Sequence, residues 1–203
     1  MKHSLIIGLL CMTICSLNAQ NIEQNILKLH KPQETYIAEF TEKIVMPKMK
    51  KETVKRGTMY FAAPDALLMK YSDPEGDYSL IKDGKFTASR QGKVQNFPMN
   101  PKNKSQMYVL RETLLGSMTG DLQRVAKENE AEIACKEEGG KYICVLTKIK
   151  PKPAGVNTLE LTYDKQTGAL LLLKLIQANG NFTSYETSKA RQGQKIEDSV
   201  WKM

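Results

Sequence analysis

Histidine is almost absent from this sequence: among 203 residues only His3 and His30 carry an imidazole. Cysteine is nearly as scarce, with four, and aromatic residues make up only 7%, a single tryptophan among them. These shortages exclude much chemistry. One histidine beyond residue 19 assembles no acid–base constellation, so His30 reads as a packed side chain on the apolar side of a helix. The sequence lacks H-E-x-x-H, a phosphate-cradling glycine loop and G-x-S-x-G. "LGSMTG" holds Ser117 between Gly116 and Gly120 without the nucleophile spacing. A carboxylate pair for glycoside hydrolysis would need no motif, and nothing marks one. The chain is therefore read as a non-enzyme, with no catalytic residue, metal or cofactor.

The amino terminus combines Met1-Lys2-His3, an apolar run from Leu5 to Cys15, and Leu17-Asn18-Ala19-Gln20. That pattern is a secretory signal peptide, with cleavage expected after Ala19. The run is too short for a membrane span. Leu10 and Ile14, which precede Cys11 and Cys15, are larger than a lipid-attachment site accepts, so neither cysteine is read as an anchor. The expected organisation is a signal peptide over 1–19 and a single domain over 20–203. Cys135 and Cys144 then remain alone in an oxidising compartment where disulfides persist. Losing Lys2 takes the net charge from +8 to +7. Such a balance favours an anionic membrane surface or an acidic partner, while export and sparse aromatics argue against nucleic acid.

Three dipeptides punctuate the chain as two-residue hairpin signals: Asp83-Gly84, Gly139-Gly140 and Asn179-Gly180. With Gly139-Gly140 as the loop, Cys135 and Cys144 fall directly opposite each other, close enough for a disulfide. "TYIAEFTEKIVM" alternates, placing Tyr36, Ala38, Phe40, Ile44 and Met46 on one face, spoiled by Glu42. "TLELTYD" alternates cleanly, and "ALLLLKLI" reads as a central strand covered on both faces. "ETVKRGTMYFAA" and "ALLMKYS" supply two further strands. "NIEQNILKLH" and "NKSQMYVLRETLLGSM" carry helical stripes, and "GDLQRVAKEN" fits a short helix or an edge strand. The fold class is α+β, with a largely antiparallel sheet.

The acidic stretch "YSDPEGDYSLIKDGK" resembles a calcium loop only in its first positions. Counting from Asp73, Tyr78 stands where a glycine is required and Gly84 where a bidentate glutamate closes the site. Its acids, Asp73, Glu75, Asp77 and Asp83, therefore read as turn formers. "KMKKETVKR" gathers Lys48, Lys50, Lys51, Lys55 and Arg56, a solvated hairpin or a docking patch for anionic headgroups or an acidic partner. Met46, Met59, Met69, Met107 and Met118 fall on apolar faces, where thioethers fill a core or line an adaptable cavity.

The run "FTEKIV…RGTMYFAAPDALLMKYSDPEGDYSLIKDGK" resembles the outer-membrane lipoprotein carrier (LolA-like) family at Phe40, Gly57, Pro64, Pro74 and Ile81 to Lys85. Two positions depart from it. Ala63 stands where the family carries an arginine thought to hold its lid, and Met69 stands nearest its usual tryptophan. The resemblance implies an unclosed antiparallel β-barrel, or half-pipe, with helices covering a concave apolar face. It also implies a monomeric periplasmic carrier of acylated lipoproteins or other lipids, taking cargo from an inner-membrane release complex to an outer-membrane acceptor. An envelope lipid-binding or sensing module of the same fold is the alternative. The inward-facing candidates for the cavity are Phe40, Ile44, Met46, Met59, Phe61, Met69, Leu110 and Leu114.

Overall fold

Strands that follow one another across tight turns have little choice but to form a meander. The computed structural model, which describes residues 20–30, 34–102 and 104–203, contains two of them joined at a seam. The residues read as a signal peptide lie outside the described part. A helix, α1, spans 20–30 ahead of the first strand. The first meander comprises β1 (Thr35–Met46), β2 (Lys51–Ala62), β3 (Ala66–Asp73), β4 (Glu75–Lys82), β5 (Lys85–Arg90) and β6 (Lys93–Phe97). The second comprises β7 (Ala131–Glu138), β8 (Lys141–Lys148), β9 (Val156–Asp164), β10 (Leu170–Gln177) and β11 (Phe182–Gln192). Antiparallel pairing of β1 with β11 fuses them into one sheet ordered β6-β5-β4-β3-β2-β1-β11-β10-β9-β8-β7.

The sheet does not close, because its lips are β6 and β7. The chain between those lips carries α2 (Gln106–Thr119) and α3 (Leu122–Asn129), whose apolar residues pack into one cluster with the concave face. Ser105 caps α2 by accepting the Tyr108 N–H, and Asp121 caps α3 by accepting that of Arg124. Gly120 ends α2 in the left-handed region, at φ 68°. The half-pipe expected from the resemblance is thus present, and "GDLQRVAKEN" is a helix.

Turn chemistry explains most of the register. Lys82 pairs with Lys85 across Asp83-Gly84, both turn residues having positive φ. Cys135 stands opposite Cys144 across Gly139-Gly140, and their Cα atoms, 4.1 Å apart, are bridged by a disulfide. Asn179-Gly180 departs from expectation. Gln177 donates its N–H to the Asn181 carbonyl at 2.8 Å and Ile176 pairs with Phe182, so the loop is the three residues Ala178 to Gly180. Gly180 takes the positive φ there, as a three-residue hairpin requires.

Other expectations are also corrected. The outward side chains of β10, Leu172, Lys174 and Ile176, are only half-buried, so this strand is covered on one face. Asp77 is no turn former: it is buried within β4. The edge strand β6, mostly exposed and only five residues long, has too little apolar alternation to be read in advance. On the convex side the chain after β11 is tied back to β1. Gly193 donates to the Thr35 carbonyl, and the Thr35 hydroxyl donates to that of Gln194. This tail ends with the Trp201 ring 5.9 Å from the Lys82 ammonium.

Gly57 is where the wall of the half-pipe is tightest. It lies on β2 between Phe40 of β1 and Tyr71 of β3. With no side chain between them, the Phe40 and Tyr71 rings meet edge-to-face at 5.2 Å. A Cβ at residue 57 would stand 2.1 Å from the Lys70 carbonyl oxygen and 2.8 Å from the Tyr71 Cα, both backbone atoms that cannot swing aside. Gly57→Ala is therefore expected to destabilise the protein by roughly 1–3 kcal/mol, read as a lower urea midpoint with an unchanged slope.

Candidate functional site

The concave face is built by every second residue of each strand. On one side of the seam it presents Phe40, Met59, Phe61, Met69 and Ile81; on the other, Leu146, Leu159, Leu161, Tyr163 and Leu173. All are buried in one continuous apolar cluster that also includes Ile22 and Ile26 of α1, Leu114 and Met118 of α2, and Val125 of α3. Five of the eight cavity candidates, Phe40, Met59, Phe61, Met69 and Leu114, lie inside this cluster. Leu110 packs against it half-exposed. Ile44 and Met46 continue the inward row of β1 but are also half-exposed. Burial does not separate the wall of a cavity from ordinary core, which is why sequence could nominate these residues but not rank them.

Sequence reasoning passed over the end of the trough between these two groups, which is charged. Glu42 follows Phe40 on the inward row of β1 and is 6% exposed. Lys55, its partner on β2, reaches Asp77 at 3.8 Å and lies 5.3 Å from the centre of the Tyr71 ring. The Arg90 guanidinium lies 4.9 Å from the same ring centre. It donates to the Tyr78 and Ser89 carbonyls and to the Ser79 hydroxyl. Asp77 also accepts the Gln91 N–H at 2.7 Å. Burial first, and then the negative charge of Glu42, push the hydroxyls of Tyr71 and Tyr185 above the usual phenol range. The signal for this cluster was present as the one acid interrupting an apolar alternation.

Lys55 consequently leaves the expected docking patch, since it faces the trough. Lys48, Lys50 and Lys51 are exposed at the β1–β2 connection. Arg56 lies on the outside, 4.0 Å from Asp73. No group of three or more histidine, cysteine, aspartate or glutamate side chains suited to a metal occurs among the described residues.

The helical roof is bound mainly to itself. Glu112, buried in α2, accepts from Arg124 of α3 at 2.6 Å and from its neighbour Arg111. Asn129 donates to the Thr113 hydroxyl at 2.8 Å. Gly116 lets Val125 approach so closely that a Cβ there would stand 2.5 Å from a Val125 methyl. Toward the wall the packing is apolar, supplemented by the Tyr163 hydroxyl donating to the Ser117 carbonyl at 3.0 Å. His30 of α1 meets Tyr163 edge-to-face at 5.7 Å and donates from Nδ1 to the Ile26 carbonyl. Clefts of about 440 and 450 Å³ flank α1, one against the start of α3 and one against Cys135 to Glu137. Neither is lined by any of the eight candidates.

An open half-pipe roofed by helices invites comparison with known proteins. The family model for the outer membrane lipoprotein carrier protein LolA matches residues 32–203. The chain belongs to the LolA family. Solved structures similar to it include an uncharacterised conserved protein of Thermus thermophilus, 12% identical, covering 91% of this chain and 93% of that one at a TM-score of 0.54. The MucA/MucB complex of Pseudomonas aeruginosa is also similar, at 10% identity, 91% of this chain, 60% of that chain and a TM-score of 0.53. A LolA superfamily protein of Nitrosomonas europaea, 11% identical, covers 92% of this chain and 98% of its own, with a TM-score of 0.44. At these identities the likeness to solved structures is one of fold. No curated protein matches the sequence. Among the described residues, no helix is long and apolar enough to cross a membrane.

Two measurements test the site's electrostatics. Burial holds the His30 imidazole below its usual value of 6.5, the bond to Ile26 opposing it in part. The unfolded chain then binds the proton more readily, so stability is full above about 6.5 and is lost as pH falls through the folded value. A thermal-denaturation series from neutral to mildly acidic pH should show this decline, and His30→Gln should flatten it. The Tyr71 hydroxyl is buried without a well-formed hydrogen bond. Tyr71→Phe should therefore leave stability unchanged or raise it by up to ~1 kcal/mol; a larger loss in a denaturant titration would mean that the hydroxyl is engaged.

Proposed function

We propose that this protein is a periplasmic carrier that shelters the acyl chains of lipoproteins between its apolar wall and its helical roof. On this reading residues 1–19 direct export and are removed, and residues 20–203 form the carrier domain. Cargo arrives from an inner-membrane release complex and leaves to an outer-membrane acceptor. The observation that carries the reading is the division of forces in the roof. Its charged bonds and the Asn129–Thr113 bond join α2 to α3, while its contact with the wall is apolar but for the Tyr163–Ser117 hydrogen bond. An acyl chain can replace the apolar part of that contact, and only the Tyr163 hydroxyl and the Ser117 carbonyl would then need new partners. Each buried methylene contributes ~0.8 kcal/mol, so a 14-carbon chain gains roughly 10 kcal/mol, enough to cross water without a covalent step.

Phe40, Met59, Phe61, Met69 and Leu114 form the covered part of the binding surface on this reading, with Ile44, Met46 and Leu110 at its accessible margin. The absence of the family's arginine at Ala63 leaves apolar packing and the Tyr163–Ser117 bond to keep the roof closed. A sensing module of the same fold, which holds a lipid without moving it, differs in one consequence. Depleting a carrier strands lipoproteins at the inner membrane, and depleting a sensor does not.

The direct test is binding of a triacylated peptide or a fluorescent fatty acid to the chain from residue 20 onward. Saturable binding is expected. Leu110→Asp and Ile44→Asp, at half-exposed positions, should weaken it by on the order of tenfold or more without lowering the melting temperature appreciably. A folded protein that binds neither probe overturns the proposal.

A further inference from the structure

One end of the sheet carries a pair of loops whose chemistry the trough does not use. Their common level follows from register. Thr147 pairs with Thr158, Thr158 with Ile176, Ile176 with Phe182, Phe182 with Val45 and Val45 with Glu52, a continuous row across six strands. Just beyond this row Lys48-Met49-Lys50 of the β1–β2 connection adjoin Lys51 at the start of β2, and Lys148, half-buried at the end of β8, leads into Ile149-Lys150-Pro151-Lys152 of the β8–β9 connection. β8 and β1 are separated by four strand spacings, roughly 19 Å along the sheet. Between them lies the small, uncharged turn Ala178-Asn179-Gly180.

Each loop sets a large apolar side chain in water among lysines. Met49 is 69% exposed and Ile149 60%, two of only four such exposed residues among those described. Among the described residues, none of the six lysines forms an ion pair. The acids at this end are Glu52, engaged by Lys43 at 3.6 Å, Glu132, exposed on β7 opposite Thr147, and Glu130, whose backbone carbonyl accepts the Ile149 N–H. Two cationic points with apolar tips, held at one height by a rigid sheet, suit a flat anionic interface. Ammonium groups meet lipid phosphates, and the thioether and aliphatic chains reach the acyl boundary beneath them.

We propose that this rim docks the protein edge-on to the surface of an anionic lipid bilayer. Ile44 and Met46, the half-exposed end of the inward β1 row, lie just below the same rim, so docking turns the accessible end of the trough toward the membrane. The proposal stands apart from acyl binding, and the two are separable by measurement.

The test is flotation of the chain from residue 20 onward with phosphatidylcholine vesicles containing about one third phosphatidylglycerol, against pure phosphatidylcholine. Binding is expected to the anionic vesicles only, and to weaken as salt rises. Both Met49→Ser/Ile149→Ser and Lys48→Glu/Lys50→Glu/Lys150→Glu should lower it by on the order of tenfold, with melting temperature and fatty-acid binding unchanged. These positions are exposed, so folding should survive the changes. No binding, equal binding to neutral vesicles, or indifference to either set of substitutions overturns the proposal and leaves the rim to an acidic protein partner.

Discussion

An antiparallel sheet that curves without closing must bury a concave apolar face that its own edges leave open, and everything else in this protein answers to that requirement. Closure would satisfy the strand edges but leave only the barrel mouths as access to the interior. Here β6 and β7 remain apart, and the chain between them supplies α2 and α3 as cover. Burying the helices' apolar residues against the wall is what makes the open sheet stable. On the proposed reading, the same contact is the one that a ligand would replace. On that reading, stability and ligand binding draw on one interface.

The polar groups are distributed in accordance with that division. Glu112, Arg124, Thr113 and Asn129 satisfy one another within the roof, while Gln123 ties α3 to the buried Glu23 of α1. Glu42, Lys55, Asp77 and Arg90 occupy one end of the wall, held by strand pairing. A charged cluster there ends the continuous apolar run and gives the trough a direction, with a fully buried stretch at one end and a wet, half-exposed one at the other. The terminal segment tied to β1 and resting near Lys82 braces the opposite face.

Much of this architecture was legible in the sequence because period-2 alternation and primed turns are local signals. "TYIAEFTEKIVM" coincides with β1, and the arithmetic across Gly139-Gly140 placed Cys135 opposite Cys144. Errors arose where the local rule was silent. Asn-Gly permits a loop of two residues or three, and the pairing of β10 with β11 decided it. Asp77 follows turn-forming neighbours in sequence, yet its partners Lys55 and Gln91 arrive from elsewhere in the sheet. Glu42 was visible as an exception to the apolar pattern, but its meaning depended on Tyr71 and Tyr185, distant in sequence. Which of Phe40, Met59, Phe61 and Met69 serve a ligand is not encoded in burial, since wall and core obey the same hydrophobic rule.

The central seam also dictates how the molecule can be assembled. Glu39 and Lys189 meet across it although 150 positions separate them. Each meander can form from neighbouring hairpins, but the two half-sheets cannot join until β11 is available. Until then β1 presents a twelve-residue open edge to any extended chain nearby. Contacts of such long range make folding slow and leave that edge exposed while it proceeds. A chain arriving strand by strand in a new compartment would thus depend on its last long strand to become a single object, and on protection of its first until that strand arrives.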